Sequence, residues 1–196
     1  AAGSVLYMSG CIAQTIPDGF LSDEVANFTV ENTAGVTLED SFDLTETFSL
    51  LEGTLDISTT DPTYITFKSN ATQTAVMTEA GAGTTINGCV IVERYIPASN
   101  RAFRLIGSPT NSSVTCGSQT IKASLQEGGQ ITDIATTPIV NPNPGFGTHI
   151  TGATQAEHNN TDNGFDVTVT GNQGMFTWDA TTTEQDWVEI ANTDNT

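Results

Sequence analysis

The sequence predicts an all-β protein in which a short β-solenoid, similar to a parallel β-helix, runs into a β-sandwich-like or jelly-roll-like half. Two observations support this fold class. Apolar residues in the first half recur in alternating triplets separated by short polar turns. In the second half, longer apolar segments are separated by loops rich in Gly, Asn and Pro. We expect a solenoid-like segment over residues 1–88 and an incomplete sandwich-like segment over residues 89–196.

The triplets of the first half favour a solenoid because they follow one another too closely for ordinary hairpins. They recur about every six residues between residues 28 and 57, whereas strands are usually ~5–6 residues long before any turn is added. Three triplets with their turns would make one coil, with one triplet on each face. A β-sandwich of short strands is the alternative. The side chains expected to point inward are Phe28, Val30, Val36, Leu38, Phe42, Leu44, Phe48, Leu50, Leu55 and Ile57.

The charge of the chain excludes several classes of partner. Its 196 residues include 23 Asp and Glu but 5 Lys and Arg, which gives a net charge of -18. Nucleic acids and anionic membrane surfaces both attract clustered cations, so we expect neither as a partner. No apolar run approaches the ~18–20 residues of a membrane span, so direct membrane insertion is not expected either. An acidic surface of this kind favours solubility and attracts Ca²⁺.

The three cysteines, Cys11, Cys89 and Cys116, are too widely spaced for a metal-binding motif. Each would fit the protein interior as a small apolar side chain. The alternative is one disulfide with a remaining thiol. Cys89 with Cys116 is then the preferred pair, because both lie in predicted neighbouring strands.

The middle of the chain carries most of its positive charge. Arg94, Arg101 and Arg104 are three of the five Lys and Arg. We predict a strand over Cys89–Ile96, central in its sheet, that forms a hairpin with a second strand ending at Ile106. The arginines are candidates for binding a substrate carboxylate, but internal pairing is favoured in so acidic a chain. The expected internal partners are Glu93, Glu127 and Asp133.

The second half is also predicted to contain one helical turn and a second hairpin. The helical turn lies in Ser118–Gly129, where Ser118 would cap the helix. The segments MFTWD and DWVEI alternate in polarity and flank a polar turn, which predicts a hairpin. Its Trp178 and Trp187 are candidates for stacking on sugar rings, and packing within the hairpin is the simpler alternative.

No sequence motif indicates a nucleophile, a phosphate loop or a zinc protease, so neither catalytic residues nor a cofactor are expected. Asp162 and Asp166 are weak candidates for Ca²⁺ ligands in the segment NNTDNGFD. Its spacing departs from the EF-hand loop, and an Asx turn explains the same residues. A lyase of β-helix type would need a cation to stabilise developing charge. Lys68 is the sole Lys or Arg of residues 1–88, where no His occurs.

A series of short motifs carries a resemblance to a known group of proteins. In order they are VERYIPASNRAFRLIGSP, IKASLQEGG, NPNPGFGTHITG, NGFDVTVTGNQGMFTWD and DWVEIANT. The series resembles a region of large secreted cell-surface proteins of the Bacteroidota, which are commonly exported by the type IX secretion system. The upstream VANFTVENTAGVTLEDSFDLTETFSLLEGTLDI is similar to the repetitive stretch that often precedes this region.

The resemblance spans residues 25–193 and implies an extracellular, adhesin-like or structural segment with no catalytic residues to carry over. Members of this group usually continue into further strands and a sorting domain, whereas this sequence stops at Thr196 and starts without a signal peptide. We therefore expect it to be a fragment of a longer chain. Cys89 and Cys116 are not part of the group's pattern, so the resemblance implies nothing about their pairing.

These observations lead to one main hypothesis and two alternatives. The main hypothesis is a non-catalytic structural or adhesive module at the cell surface, whose partners are other segments of the same long chain, neighbouring copies or glycans. The first alternative is a carbohydrate-binding module of a secreted polysaccharide-degrading enzyme, using Trp178, Trp187 or Tyr64. The second is a β-helix lyase or hydrolase acting on an acidic polysaccharide.

Overall fold

The computed structural model describes residues 3–21, 23–58, 63–78, 80–97, 104–107, 120–126, 129–134, 148–154, 163–181 and 186–193. The chain divides into two compact units, Ala1–Thr110 and Asn111–Thr196. This boundary lies later in the chain than the one expected after residue 88. Among the described residues, no helix has the length and apolar character needed to cross a membrane.

The first unit is a β-solenoid of about four turns, as the triplets predict. Its strands all pair in parallel, with β3 and β4 beside each other at the centre of the stack. Stacked coils require parallel pairing, because the chain crosses each face in the same direction once per coil. The strands are β1 (Val5–Gly10), β2 (Gln14–Ile16), β3 (Glu24–Leu38), β4 (Phe42–Ile57), β5 (Ile65–Phe67), β6 (Val76–Met77), β7 (Thr85–Asn87) and β8 (Val90–Val92).

The two long strands β3 and β4 each pass around the corners of one coil. Their pairing shifts register at three places, and between these shifts the inward side chains of one coil lie beside those of the next. Phe28 pairs with Phe48, and the two rings stack with centroids 5.3 Å apart and an interplanar angle of 23°. The core is therefore a set of apolar ladders that run from coil to coil.

All ten side chains predicted to point inward are buried, which confirms the inward pattern. None is more than 3% exposed. Period-2 alternation places every second residue of a strand on one face, so the apolar residues of each strand point into the core. The polar residues that alternate with them, mostly Thr, Asp and Glu, lie on the outer surface.

One corner of the solenoid is held by a buried amide. Asn32 is 0% exposed, and its Nδ2 donates to Ile12 O and to Gln14 Oε1, each at 2.8 Å. Its Oδ1 accepts from Ala34 N at 2.9 Å. On the next coil, Gly53 occupies the position beside Asn32 with φ of +80°. The corner thus satisfies its buried polar groups and leaves no room for a side chain at Gly53.

The strand predicted over Cys89–Ile96 differs from expectation in length and position. The strand observed within this range is β8, which pairs in parallel with β5. It lies at the end of the strand order and not at the centre of the sheet. It therefore belongs to the first unit, which accounts for the later boundary. Of its expected hairpin partner, residues 101–103 lie outside the described residues, and Arg104–Ile106 are not in a strand.

The described part of the second unit contains two two-stranded sheets and one short helix, and it does not confirm a sandwich. β9 and β10 pair in parallel, whereas β11 and β12 form the predicted antiparallel hairpin. The helix is capped by Thr120, whose Oγ1 accepts from Ala123 N at 3.1 Å, and not by the predicted Ser118. The elements are α1 (Ile121–Leu125), β9 (Thr151–Thr154), β10 (Asp166–Thr168), β11 (Phe176–Asp179) and β12 (Asp186–Glu189).

Candidate functional sites

One outer surface of the solenoid brings polar and apolar side chains from successive coils into a row. We call it the β5 face: the outward side of β5, of β8 and of the first residues of β4. Asp43 lies beside Thr66, and Thr66 lies beside Ile91, because parallel pairing aligns the outward positions of the three strands. Ile91 is 46% exposed, so its apolar side chain is accessible from solvent on this face.

The β5 face contains a shallow depression of about 260 Å³. Its lining mixes carboxylates, hydroxyls and apolar surface, and Tyr64 contributes an aromatic ring. Tyr64 is one of the three aromatic residues that the sequence suggests for sugar binding. The lining residues are Asp23, Ser41, Phe42, Asp43, Tyr64, Thr66 and Ile91.

Lys68 lies beside this row and is held by two carboxylates. Its Nζ is 2.6 Å from Glu93 Oε1 and 3.5 Å from Asp43 Oδ2. Glu93 Oε2 also accepts from Ser69 N at 3.1 Å. The hydrogen bond to Glu93 raises the pKa of Lys68 above its ordinary value, although burial partly opposes this, and attraction to both carboxylates adds to it. Lys68 is therefore a fixed ammonium and not a proton acceptor.

Replacing Lys68 by Met is expected to lower the free energy of unfolding at pH 7 by about 0.2–1 kcal/mol, because the ion pair is partly exposed. The pKa of Lys68 is raised in the folded state above 10.5. The stabilisation is thus fully present below that ordinary value and is lost as the pH rises through the folded-state pKa. Urea unfolding of wild type and variant at pH 7 and pH 11 measures this difference.

Arg94→Met is the matched control, since it removes the same charge from an exposed site. A loss of stability for Lys68→Met that equals the Arg94→Met value, or that persists unchanged at pH 11, would contradict the ion-pair account.

Glu93, one of the three carboxylates expected to pair with the arginines, binds Lys68 through its carboxylate. Arg94 Nη1 donates to the main-chain carbonyl of Glu93 at 2.8 Å, whereas the Glu93 carboxylate binds Lys68. Arg104 Nη2 donates to Pro97 O at 2.7 Å. Arg101 lies outside the described residues, as does the predicted partner Glu127. Sequence reasoning missed Lys68 as the cation that Glu93 binds, because the two residues are far apart in the chain.

The second unit carries an exposed aromatic pair. Trp178 and Trp187 are directly opposite in the β11–β12 hairpin, with ring centroids 5.3 Å apart and an interplanar angle of 68°. They are 48% and 50% exposed. Alternation along each strand puts the opposed pair Phe176 and Glu189 on the same side. The predicted hairpin packing is therefore an edge-to-face pair that leaves much of both indoles accessible to solvent.

Asp166, a weak Ca²⁺ candidate from the sequence, is a buried structural acceptor. It is 1% exposed, and its Oδ1 accepts from Ile131 N at 2.6 Å. Its Oδ2 accepts from Ile150 N at 2.8 Å and from Gln126 Nε2 at 3.3 Å. These bonds account for the carboxylate without a cation. The second candidate, Asp162, lies outside the described residues, and within the described ones no cluster of three or more His, Cys, Asp or Glu could hold a metal ion.

Asp166→Asn is expected to lower the free energy of unfolding of the second unit by about 2 kcal/mol. The two oxygens of Asp166 accept from three donors, so the new amide NH₂ must face at least one donor. Fluorescence of Trp178 and Trp187 during urea unfolding reports on this unit. The exposed Asp186→Asn is the control and should change stability by less than about 0.5 kcal/mol. Equal effects of the two variants would remove the structural role assigned to Asp166.

The cysteines differ in state. Cys11 is a free, exposed thiol, so the predicted buried location does not apply to it. Cys89 takes part in a disulfide. Cys116 lies outside the described residues, so its pairing with Cys89 stays a prediction.

No family model, no curated protein and no solved structure matches this chain.

Proposed function

We propose that this chain is a non-catalytic structural or adhesive module of a secreted bacterial cell-surface protein, whose solenoid extends or presents a surface. The observation that carries the proposal is the stack of parallel coils with continuous apolar ladders inside and polar rows outside. In such a stack the interior supplies stability while the outer side chains are free to vary in their contacts. Outer rows of this kind are better suited to repeated surface contacts than a single deep pocket would be.

Hydrogen bonds between neighbouring coils support a rigid presenting surface. Asn87 Nδ2 donates to Asp56 Oδ1 at 2.6 Å, and Thr78 Oγ1 donates to Ser49 Oγ at 2.9 Å. Side chains that are already held in place lose less conformational entropy when a partner binds. The outer rows are thus preorganised for contact with neighbouring copies, with other segments of the same long chain or with glycans.

The cysteine chemistry and the charge support a location outside the cell. Disulfides such as that of Cys89 persist in oxidising compartments and are rare in the cytosol. A net charge of -18 keeps a surface module soluble. The resemblance of the motif series to secreted proteins of the Bacteroidota exported by the type IX system agrees with both.

An in-frame deletion of this segment from the gene of the producing bacterium tests the proposal. Attachment of the cells to surfaces or to one another is expected to fall, while the rate of polysaccharide breakdown in the medium stays unchanged. The control strain carries Leu51→Ala, a single exposed substitution in the same segment. Unchanged attachment together with slower polysaccharide breakdown would contradict the structural role and favour a module that serves an enzyme.

The second candidate function is carbohydrate binding by the hairpin of the second unit. The specific observation in its favour is the half-exposed edge-to-face pair of Trp178 and Trp187. Aromatic faces pack well against the C–H faces of sugar rings, and fully buried indoles could not offer that contact. In this role the chain would be a carbohydrate-binding module attached to a secreted polysaccharide-degrading enzyme.

A glycan array separates the second candidate from the first. If the hairpin binds sugars, Trp187→Ala is expected to abolish a selective signal, because it removes one of the two exposed ring systems. Val188→Ala, at a position 41% exposed on the other side of β12, is the matched control. A signal that survives Trp187→Ala would exclude the tryptophan pair as the sugar site.

A further inference from the structure

We propose that the depression on the β5 face is a binding site for one neutral pyranose unit of a glycan. The site lies in the solenoid and is independent of the tryptophan pair in the second unit. If the module is adhesive, this proposal specifies the chemical class of ligand that the solenoid surface binds. In that respect the proposal rests on the proposed function.

The size of the depression suits a small ring. Pockets for drug-sized ligands measure roughly 300–1,000 Å³, and the depression, at about 260 Å³, lies below that range. It is shallow and open along the surface, so a sugar unit within or at the end of a glycan enters without displacing protein. A deep cavity would be needed to enclose a larger cofactor.

The lining provides the two kinds of contact that a pyranose needs from a binding site. Its hydroxyl groups need hydrogen-bond partners, and its C–H face needs apolar or aromatic surface. Among the described residues, no protein partner takes a hydrogen bond from the hydroxyl of Tyr64 or Thr66, and none donates to Asp43 Oδ1. The ring of Tyr64 and the exposed side chain of Ile91 supply apolar contact in the same depression.

The charge around the depression selects against acidic sugars. Asp23, Asp43 and Glu93 place three carboxylates in or beside the depression, and Lys68 supplies one ammonium beside them. A uronic acid would be repelled by this excess of negative charge. Neutral hexoses and N-acetylhexosamines carry no such penalty.

The ion pairs beside the depression hold the key acceptor in place. Lys68 Nζ lies 3.5 Å from Asp43 Oδ2, and this ion pair restrains the orientation of the carboxylate. Ser41 Oγ accepts from Tyr64 N at 3.1 Å and fixes the main chain that carries the tyrosine. A carboxylate and an aromatic ring positioned before binding lose little entropy when the sugar arrives.

Saturation-transfer-difference NMR of the full chain with neutral hexoses, N-acetylhexosamines and their short oligomers tests the proposal, because it detects weak binding. Wild type is expected to bind at least one of them. Asp43→Asn and Tyr64→Ala are expected to weaken binding about tenfold or more, since the first replaces a charge-assisted hydrogen bond to the sugar by a neutral one and the second removes the ring. Tyr64→Phe keeps the ring and should give a smaller loss, which separates binding from any folding defect of Tyr64→Ala.

Asp56→Asn is the matched control, because it removes a carboxylate from another outward position of the same strand, β4. It should bind as wild type does, as should Trp187→Ala. The proposal is overturned if no neutral sugar binds, if Asp43→Asn and Tyr64→Phe both bind as wild type, or if Trp187→Ala alone abolishes binding. Binding of Ca²⁺ that is lost in Asp43→Asn, without any sugar binding, would overturn it too and indicate a cation site.

The proposed function and this site fail separately. Sugar binding by the purified chain that depends on Asp43 stands even if deletion of the segment leaves cell attachment unchanged. Conversely, reduced attachment of the deletion strain stands even if the purified chain binds no neutral sugar.

Discussion

Phe48→Ala is expected to lower the free energy of unfolding of the solenoid by about 3–5 kcal/mol. Phe48 is 0% exposed and stacks on Phe28 at a centroid distance of 5.3 Å. It also meets Phe67 edge to face at 6.2 Å. Alanine would remove a ring that joins the aromatic residues of three successive coils and leave a cavity between them. The loss is large because stacked coils have few ways to collapse into such a space.

Urea unfolding followed by far-UV circular dichroism measures this effect. Both tryptophans of the chain are in the second unit, so their fluorescence does not report on the solenoid directly. Leu51→Ala, on the same strand but 42% exposed, is the control and should cost less than about 0.5 kcal/mol. Similar losses for the two variants would show that Phe48 does not join the coils as described.

Gly53→Ala is expected to lower the free energy of unfolding by about 3 kcal/mol, the upper end of the range for a strained backbone position. Two effects add. The φ of Gly53 is +80°, which an L side chain rarely adopts, and a Cβ there would overlap the carbonyl oxygen of Asn32 on the neighbouring coil. Relief of that overlap requires the two main chains to separate, which would break the parallel pairing at this corner.

Gly83→Ala isolates the first of these two effects. Gly83 has a φ of +78°, yet a Cβ at this position meets nothing within 4 Å. Its replacement should therefore cost about 1–2 kcal/mol, the conformational term alone. The difference between the two variants in urea unfolding measures the close approach of the coils. If Gly83→Ala is as destabilising as Gly53→Ala, the contact with Asn32 contributes nothing.

The interior of the solenoid was predictable from sequence because its pattern is local. Alternation within each triplet decides which side chains enter the core, and this holds from Phe28 to Ile57. In the same stretch the coils have similar lengths, so Phe28 falls beside Phe48 and Leu38 beside Ile57. A repeat of nearly constant length is visible in the sequence itself.

Beyond Ile57 the coils lengthen, and the sequence no longer shows which residues become neighbours. β4 pairs with β5, β6 and β7, which are separated by stretches of unequal length. Extra residues at a corner change the spacing without changing the stack, because corners lie outside the paired strands. For this reason the sequence placed neither Lys68 beside Glu93 nor Tyr64 beside Asp43.

The second unit was less predictable because its stabilising contacts link distant segments. Asp166 accepts hydrogen bonds from Gln126, Ile131 and Ile150. These donors are far from it in the chain, so no local sequence pattern indicates the contacts. The oxygen-rich sequence around Asp166 is equally consistent with an Asx turn or a cation site. The hairpin of β11 and β12 was predictable, since alternation on both sides of a polar turn is a short-range signal.

Labelling of intact cells with an antibody raised against the purified chain tests most directly whether this is an outward-facing surface module. For an outward-facing module, we expect labelling of the producing bacterium without permeabilisation, and loss of the label after brief treatment of intact cells with a protease. Labelling that appears after permeabilisation alone, and that resists protease on intact cells, would contradict it.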